Sequence, residues 1–300
     1  MSKSIMLSLL LATLATACTG DDEPDAYGNF EAEEVVVSAE MGGQLESFTP
    51  VEGMRLPANA TVGLIDSTQT ALEIQQAVAQ REGIRSRLGE ANQNINVLAV
   101  QRAIADRNYA RTRRLFSQRA ATAQQLDQAE RDYRVLVAQI QAAQAQRQSV
   151  GEDIRSADAR IAQIRDRQSK ARVVNPRAGT VLATYTRAGE VVAPGKPLYK
   201  IADLDTMNFR AYITADQLEK TRLGQTVQVH VDQSDGKLMT LPGTVTWIAS
   251  RAEFTPTPIQ TRDQRTDLVY AIKVRVANPQ GVLKIGMPAD LDIPDAPRKA

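Results

Sequence analysis

Two side chains dominate metal binding and nucleophilic catalysis near neutral pH, and 300 residues supply one of each, His230 and Cys18. A metal cage needs several such ligands, and a nucleophile needs a base within reach, so one of each far apart in the chain equips neither chemistry. His230 sits in Thr-Val-Gln-Val-His-Val-Asp, whose alternation is that of a half-buried strand, and it is expected to be a plain sheet residue. No Gly-x-x-x-x-Gly-Lys-Ser/Thr loop is present to cradle a nucleotide phosphate. Lys and Arg total 36 against 35 Asp and Glu, which argues against nucleic acid as the main partner. The expectation is therefore a non-enzyme: no catalytic residue, no cofactor and no metal.

The chemistry open to Cys18 is acylation. Residues 1–17 carry one early charge, Lys3, and an apolar run from Ile5 to Ala15 broken by Ser8 and Thr13, too short to span a bilayer. This pattern reads as a signal peptide. It ends in Leu-Ala-Thr-Ala-Cys, which resembles the lipobox of bacterial lipoproteins, although Ala15 stands where leucine is favoured. A lipidated Cys18 would hold the chain to a membrane by its acyl chains. The alternative is an ordinary secreted protein with a spare thiol. Residues 18–33, polar and acidic at first, read as a tether.

What must position any working residue is a run without proline from 58 to 175 in a chain with 13 prolines. Core positions repeat every three and four residues through Ile74, Ala77, Arg81, Ile84, Leu88, Ala91, Ile95, Leu98, Arg102, Ala105, Tyr109, Thr112 and Phe116. A second series runs from Leu126 through Tyr133, Ile140, Val150 and Ile161 to Ile164. The two mirror each other about residue 121, pairing Phe116 with Leu126, Tyr109 with Tyr133, Leu88 with Ile154 and Ala77 with Ile164. That is the pattern of an antiparallel helical hairpin over 68–172, each arm about 75 Å long at about 1.5 Å per residue. Arg102 and Arg147 are irregularities whose heads can reach water. Thr122, with Gln125 three residues on, predicts a capping box that starts the second arm. Gly83, Gly89 and Gly151 weaken the rod toward its base.

The flanks match each other. Residues 34–67 and 173–203 are short β-runs punctuated by Gly and Pro, each ordered as Gly, apolar strand, turn, apolar strand ending in Asp. They would pair as halves of one small sheet domain. Residues 204–293 hold alternating runs such as Met-Asn-Phe-Arg-Ala-Tyr-Ile and Val-Tyr-Ala-Ile-Lys-Val-Arg-Val, with Asp-Gln-Leu-Glu-Lys as a short helix, and predict a barrel of five or six strands with Trp247 in or near its core. Residues 294–300 form a tail.

The split domain and its second half resemble the biotinyl/lipoyl domain of the HlyD family of membrane fusion, or periplasmic adaptor, proteins. The fold class implied is α+β: a long antiparallel coiled-coil α-hairpin inserted in a split biotinyl/lipoyl-like β domain, followed by a small β-barrel. Carrier enzymes use that fold to present a modified lysine on a turn, but here the insertion takes the turn, and Lys196 and Lys200 lie in the distal half. The segment from Arg251 to Val276, followed by Leu-Lys-Ile-Gly-Met-Pro-Ala-Asp-Leu, is similar to the YbhG-type branch, associated with ABC-2 exporters. In adaptors that dock on TolC-like outer-membrane channels, the hairpin tip carries Arg, three residues, Leu, six residues, Ser. Arg111, Leu115 and Thr122 fall at those intervals, with Thr in place of Ser. The resemblance implies an adaptor of a tripartite efflux or secretion system in the periplasm of a Gram-negative bacterium. It would be lipid-anchored, with the inner membrane preferred, self-associated as a hexamer, and set between an ABC-type transporter and the channel. The competing reading is a structural coiled-coil lipoprotein that spaces the cell envelope.

Overall fold

Alternating inward residues roll six strands into a closed antiparallel barrel in the structure, a computed structural model that describes residues 24–233, 238–254 and 268–294. The strands are β1 (Ala26–Glu31), β10 (Thr206–Ile213), β11 (Thr226–Asp232), β12 (Leu238–Ile248), β14 (Leu268–Ala277) and β15 (Pro288–Asp292). Their order is β10, β1, β15, β11, β12, β14, and the pairing of β14 with β10 closes the circle. Phe30, Phe209, Val229, Val274 and Leu291 fill the interior, with the Phe30 and Phe209 ring centroids 5.2 Å apart. The short β13 (Glu253–Phe254) joins β14, and helix α3 (Ala215–Lys220) follows a Thr214–Gln217 capping box.

Strand β1 corrects the tether expected over 18–33. Ala26 and Phe30 point into the barrel while Tyr27 and Asn29 face out, a short alternation hidden in an acidic stretch. Gly28 lets β1 lie close on β10, because a Cβ there would overlap the carbonyl oxygen of Arg210. Residues 1–17 and Cys18, read as signal peptide and lipidation site, lie outside the described residues.

The segments flanking the helices interleave. One four-stranded sheet orders β2 (Glu34–Ser38), β9 (Pro197–Ala202), β7 (Gly179–Thr184) and β4 (Arg55–Leu56), and the other β6 (Arg172–Val174), β5 (Thr61–Ile65), β3 (Gly43–Phe48) and β8 (Val191–Val192). Each sheet thus takes two strands from before the helices and two from after. Val37, Leu45, Ile65, Val181, Leu198 and Ile201 form their shared core. Tyr199 is fully buried there and donates its hydroxyl to Asn175 Oδ1 at 3.0 Å; burial pushes its phenol up to about 12.

Between β5 and β6 stand two long helices, α1 (Thr68–Ser117) and α2 (Ala123–Ser169). The Asp66 carboxylate accepts from the Thr68 backbone N–H at 2.8 Å, where a helix start has free donors. The helices run in opposite directions against each other: Glu73 meets Arg167, Arg81 meets Asp158 at 3.2 Å, and Tyr109 stacks on Tyr133 at 6.0 Å. Ala77, Ile161 and Ile164 pack together at the base, while Ala129, Ile140 and Val150 are buried along α2. The β5–β6 ladder, with Thr61 opposite Val174, clamps the two helices where they leave the sheets. Arg102 and Arg147 are exposed, as long cationic side chains at seam positions would be. Among the described residues no helix is long and apolar enough to cross a membrane.

Candidate functional site

The turn between α1 and α2 is the point of the molecule farthest from its sheets along the chain, and its backbone is tightly fixed. Helix α1 ends with the Ala120 N–H donating to the Leu115 carbonyl at 2.8 Å and the Arg119 N–H to the Phe116 carbonyl at 2.9 Å. This is the Schellman arrangement, which needs a left-handed residue just past the helix. Arg119 fills that place with φ of 59°. Glycine is the usual occupant, and an L-residue pays about 1 kcal/mol to stand there. Helix α2 then starts from the expected capping box: the Gln125 N–H donates to Thr122 Oγ1 at 3.2 Å, and the Thr122 N–H to Gln125 Oε1 at 2.9 Å.

Of the three residues at the expected spacing, Leu115 and Thr122 share one shallow groove, lined also by Asn108, Ala121, Gln125 and Gln128. Arg111 lies one turn before Leu115 on α1, exposed and outside that groove. The Thr122 hydroxyl oxygen accepts in the cap, which leaves its O–H donor and its methyl to meet a partner. Phe116, expected in the seam against Leu126, is 41% exposed, and Leu115 is 39% exposed. Both stand in the last turn of α1, which ends at Ser117, and the facing helix begins only at Ala123, so two large apolar side chains are left at the surface. Sequence periodicity did not report the exposure of Phe116, and nothing in the sequence marks Arg119 as left-handed.

The other residues considered for chemistry are held structurally. His230 has Nδ1 2.9 Å from Thr240 Oγ1 and Nε2 3.0 Å from Asp292 Oδ2, tying β11 to its neighbours β12 and β15. Asp290 lies across from it in β15, and burial, then repulsion from Asp232, raises its carboxyl above the ordinary value. Lys196 pairs with Glu190 at 3.3 Å and Lys200 with Glu34 at 2.8 Å. Trp247, expected in or near the barrel core, is instead 41% exposed, with the Lys273 ammonium 5.6 Å from its ring centroid. It sits at a bulge in the β12–β14 register, which turns its ring outward. Among the described residues no group of three or more His, Cys, Asp or Glu is placed to hold a metal ion.

No protein-family model matches the chain. It is 37% identical over 123 residues to a UPF0194 membrane protein from the asrC 5′ region of Acidithiobacillus ferridurans, a match covering 41% of this chain and 36% of that one. It is 26% identical over 334 residues to the UPF0194 membrane protein YbhG of Salmonella arizonae, covering 99% of both. Among solved structures, MacA from Actinobacillus actinomycetemcomitans superposes with a TM-score of 0.67 at 23% identity, over 90% of this chain and 78% of that one. The membrane fusion protein Spr0693 from Streptococcus pneumoniae superposes with a TM-score of 0.53 at 14% identity, over 90% and 98%. The chain therefore has the fold of membrane fusion proteins, and its resemblance to the HlyD family and to the YbhG-type branch is borne out.

Proposed function

We propose that this chain, akin to the YbhG-type membrane fusion proteins, is the periplasmic adaptor of a tripartite efflux or secretion system. The two helices act as a coiled-coil hairpin inserted in a split lipoyl-like domain. Arg111, Leu115 and Thr122 at its tip dock on a TolC-like outer-membrane channel. The barrel and the lipoyl-like domain gather around an inner-membrane transporter of the ABC-2 type, which supplies the energy. Lipid on Cys18 holds the N-terminus to the inner membrane. Copies assemble as a ring, six by the resemblance, because a single rod cannot enclose a conduit.

One observation carries this reading. A rod of about 75 Å by helical rise rises from between strands of an interleaved β domain and ends in a rigid turn that leaves Leu115 and Phe116 exposed. A spacer would need the rod but neither the interleaved domain nor an apolar tip. The test is photo-crosslinking in cells from a probe at Ala121, with the surface position Gln141 as control. An adduct with an outer-membrane channel from position 121 alone supports docking; exporting cells that give none would reject it.

A further inference from the structure

The charge of the helix pair is distributed in a way that docking by shape alone does not require. From 68 to 106, four arginines face four acidic residues, and from 123 to 169 seven face seven, so both shafts are neutral. Between 107 and 126 there are five arginines, Arg107, Arg111, Arg113, Arg114 and Arg119, and no Asp or Glu. Five of the eleven shaft arginines find carboxylates among the described residues: Arg81 with Asp158, Arg85 with Glu82, Arg134 with Glu130, Arg155 with Glu152 and Arg167 with Glu73. None of the five at the tip has a carboxylate within ion-pair distance among the described residues.

A structural account covers little of this. Cations stabilise a helix C-terminus, but the benefit is confined to the last turn, where Arg114 alone stands. Arg119 works against the fold, since it holds the left-handed position where glycine would relieve strain. The second helix brings Asp127, Glu130 and Asp132 to the same level, Asp132 in the wall of the groove, yet none pairs with these five exposed guanidinium groups, which lie open to a partner. Their planar forks match carboxylates in pairs of hydrogen bonds.

We propose that these arginines form a cationic collar that selects an acidic protein surface, a carboxylate-rich rim on the channel that the tip meets. Leu115 and Phe116 supply apolar contact at its centre, and the collar supplies attraction and partner choice. The inference rests on the channel-docking reading and adds the chemistry of the partner's surface.

The test uses the full chain in its own bacterium, with the photo-probe at Ala121 and adducts mapped by mass spectrometry. The wild-type adduct is expected on a channel segment rich in Asp and Glu. The double variant Arg113→Gln/Arg114→Gln, and separately Arg119→Gly, are expected to lower its yield about tenfold each, as losing a charge-assisted contact does. Arg119→Gly separates docking from folding, because it should raise the thermal midpoint of the protein while lowering the adduct. Wild-type yield in both variants would overturn the collar while leaving channel docking intact. An adduct on lipid in place of protein, or on a channel segment without carboxylates, would overturn it too. Absence of any channel adduct from the wild type would remove the docking reading and the collar with it.

Discussion

Exchange of Leu115 for Asp should separate the tip's role in docking from its role in folding. Leu115 keeps 39% of its surface exposed, so it contributes about three-fifths of the burial value of a leucine, or about 1–2 kcal/mol. A carboxylate in the last turn of α1 opposes the helix dipole by about 0.3–1 kcal/mol, but Arg111 and Arg119 nearby offset this. The loss is local, because the nearest buried seam residue, Ala129, is on α2 and the basal cluster of Ala77, Ile161 and Ile164 is at the other end of the rod. Helix content by circular dichroism should therefore stay within a few per cent of wild type. Docking should fall much further, since an apolar anchor at an interface centre is worth about 2 kcal/mol or more, some thirtyfold in adduct yield from Ala121. Leu115→Met, with similar volume, should dock nearly normally. Wild-type adduct yield in Leu115→Asp would refute the argument, and so would loss of the adduct together with collapse of the helix signal.

Three further outcomes are expected. Gly28→Ala forces a methyl onto the Arg210 carbonyl and should destabilise the barrel by about 1–3 kcal/mol, read as a lower denaturant midpoint; an unchanged midpoint would mean that β1 is not seated on β10 as described. The triple variant Gly83→Ala/Gly89→Ala/Gly151→Ala meets no atom within 4 Å at any site and should gain about 2–3 kcal/mol from helix propensity, measured in the same way. Asp290 has its folded-state pKa raised above the ordinary 3.8 by burial and then by Asp232, so its ionised form disfavours the fold and the penalty appears as pH rises through and above that value. Asp290→Asn should therefore raise the thermal midpoint at pH 7, with the gain fading below about pH 4; a gain that grows toward acid pH would reverse the sign of the argument.

The seam of the helix pair was legible because a period of three and four residues over a hundred positions leaves few alternatives. Tyr109 on Tyr133 and the burial of Ile140, Val150 and Ile161 follow from that period directly. The capping box at Thr122 was legible because two side chains three residues apart make it by themselves. Strand β1 was hidden because its hydrogen bonds are to residues about 180 and 260 positions away, Tyr27 to Tyr212 and Asp290, and no local pattern reports them. Trp247 misled because size alone suggests burial, whereas a bulge decides which way a strand residue faces. At the tip the spacing of Arg111, Leu115 and Thr122 and the cap at Thr122 could be read, but not that Phe116 stays 41% exposed. That exposure goes with the turn at Arg119, which ends the first helix one residue after Phe116.

The glycines locate where the rod can bend. Mirrored about residue 121, Gly151 on α2 stands level with residue 91 of α1, so it shares a short zone with Gly83 and Gly89. Below that zone the base is fastened by the β5–β6 ladder, the buried cluster of Ala77, Ile161 and Ile164, and the ion pair of Glu73 with Arg167, and the Arg81–Asp158 pair stands at its lower edge. Above it, the Tyr109–Tyr133 stack and the Thr122 cap hold the distal part as one piece. Each helical glycine costs about 1 kcal/mol relative to alanine, and none is required by space, since a Cβ would fit at all three. Three such costs within about 12 Å of rod mark the level at which helix propensity resists bending least.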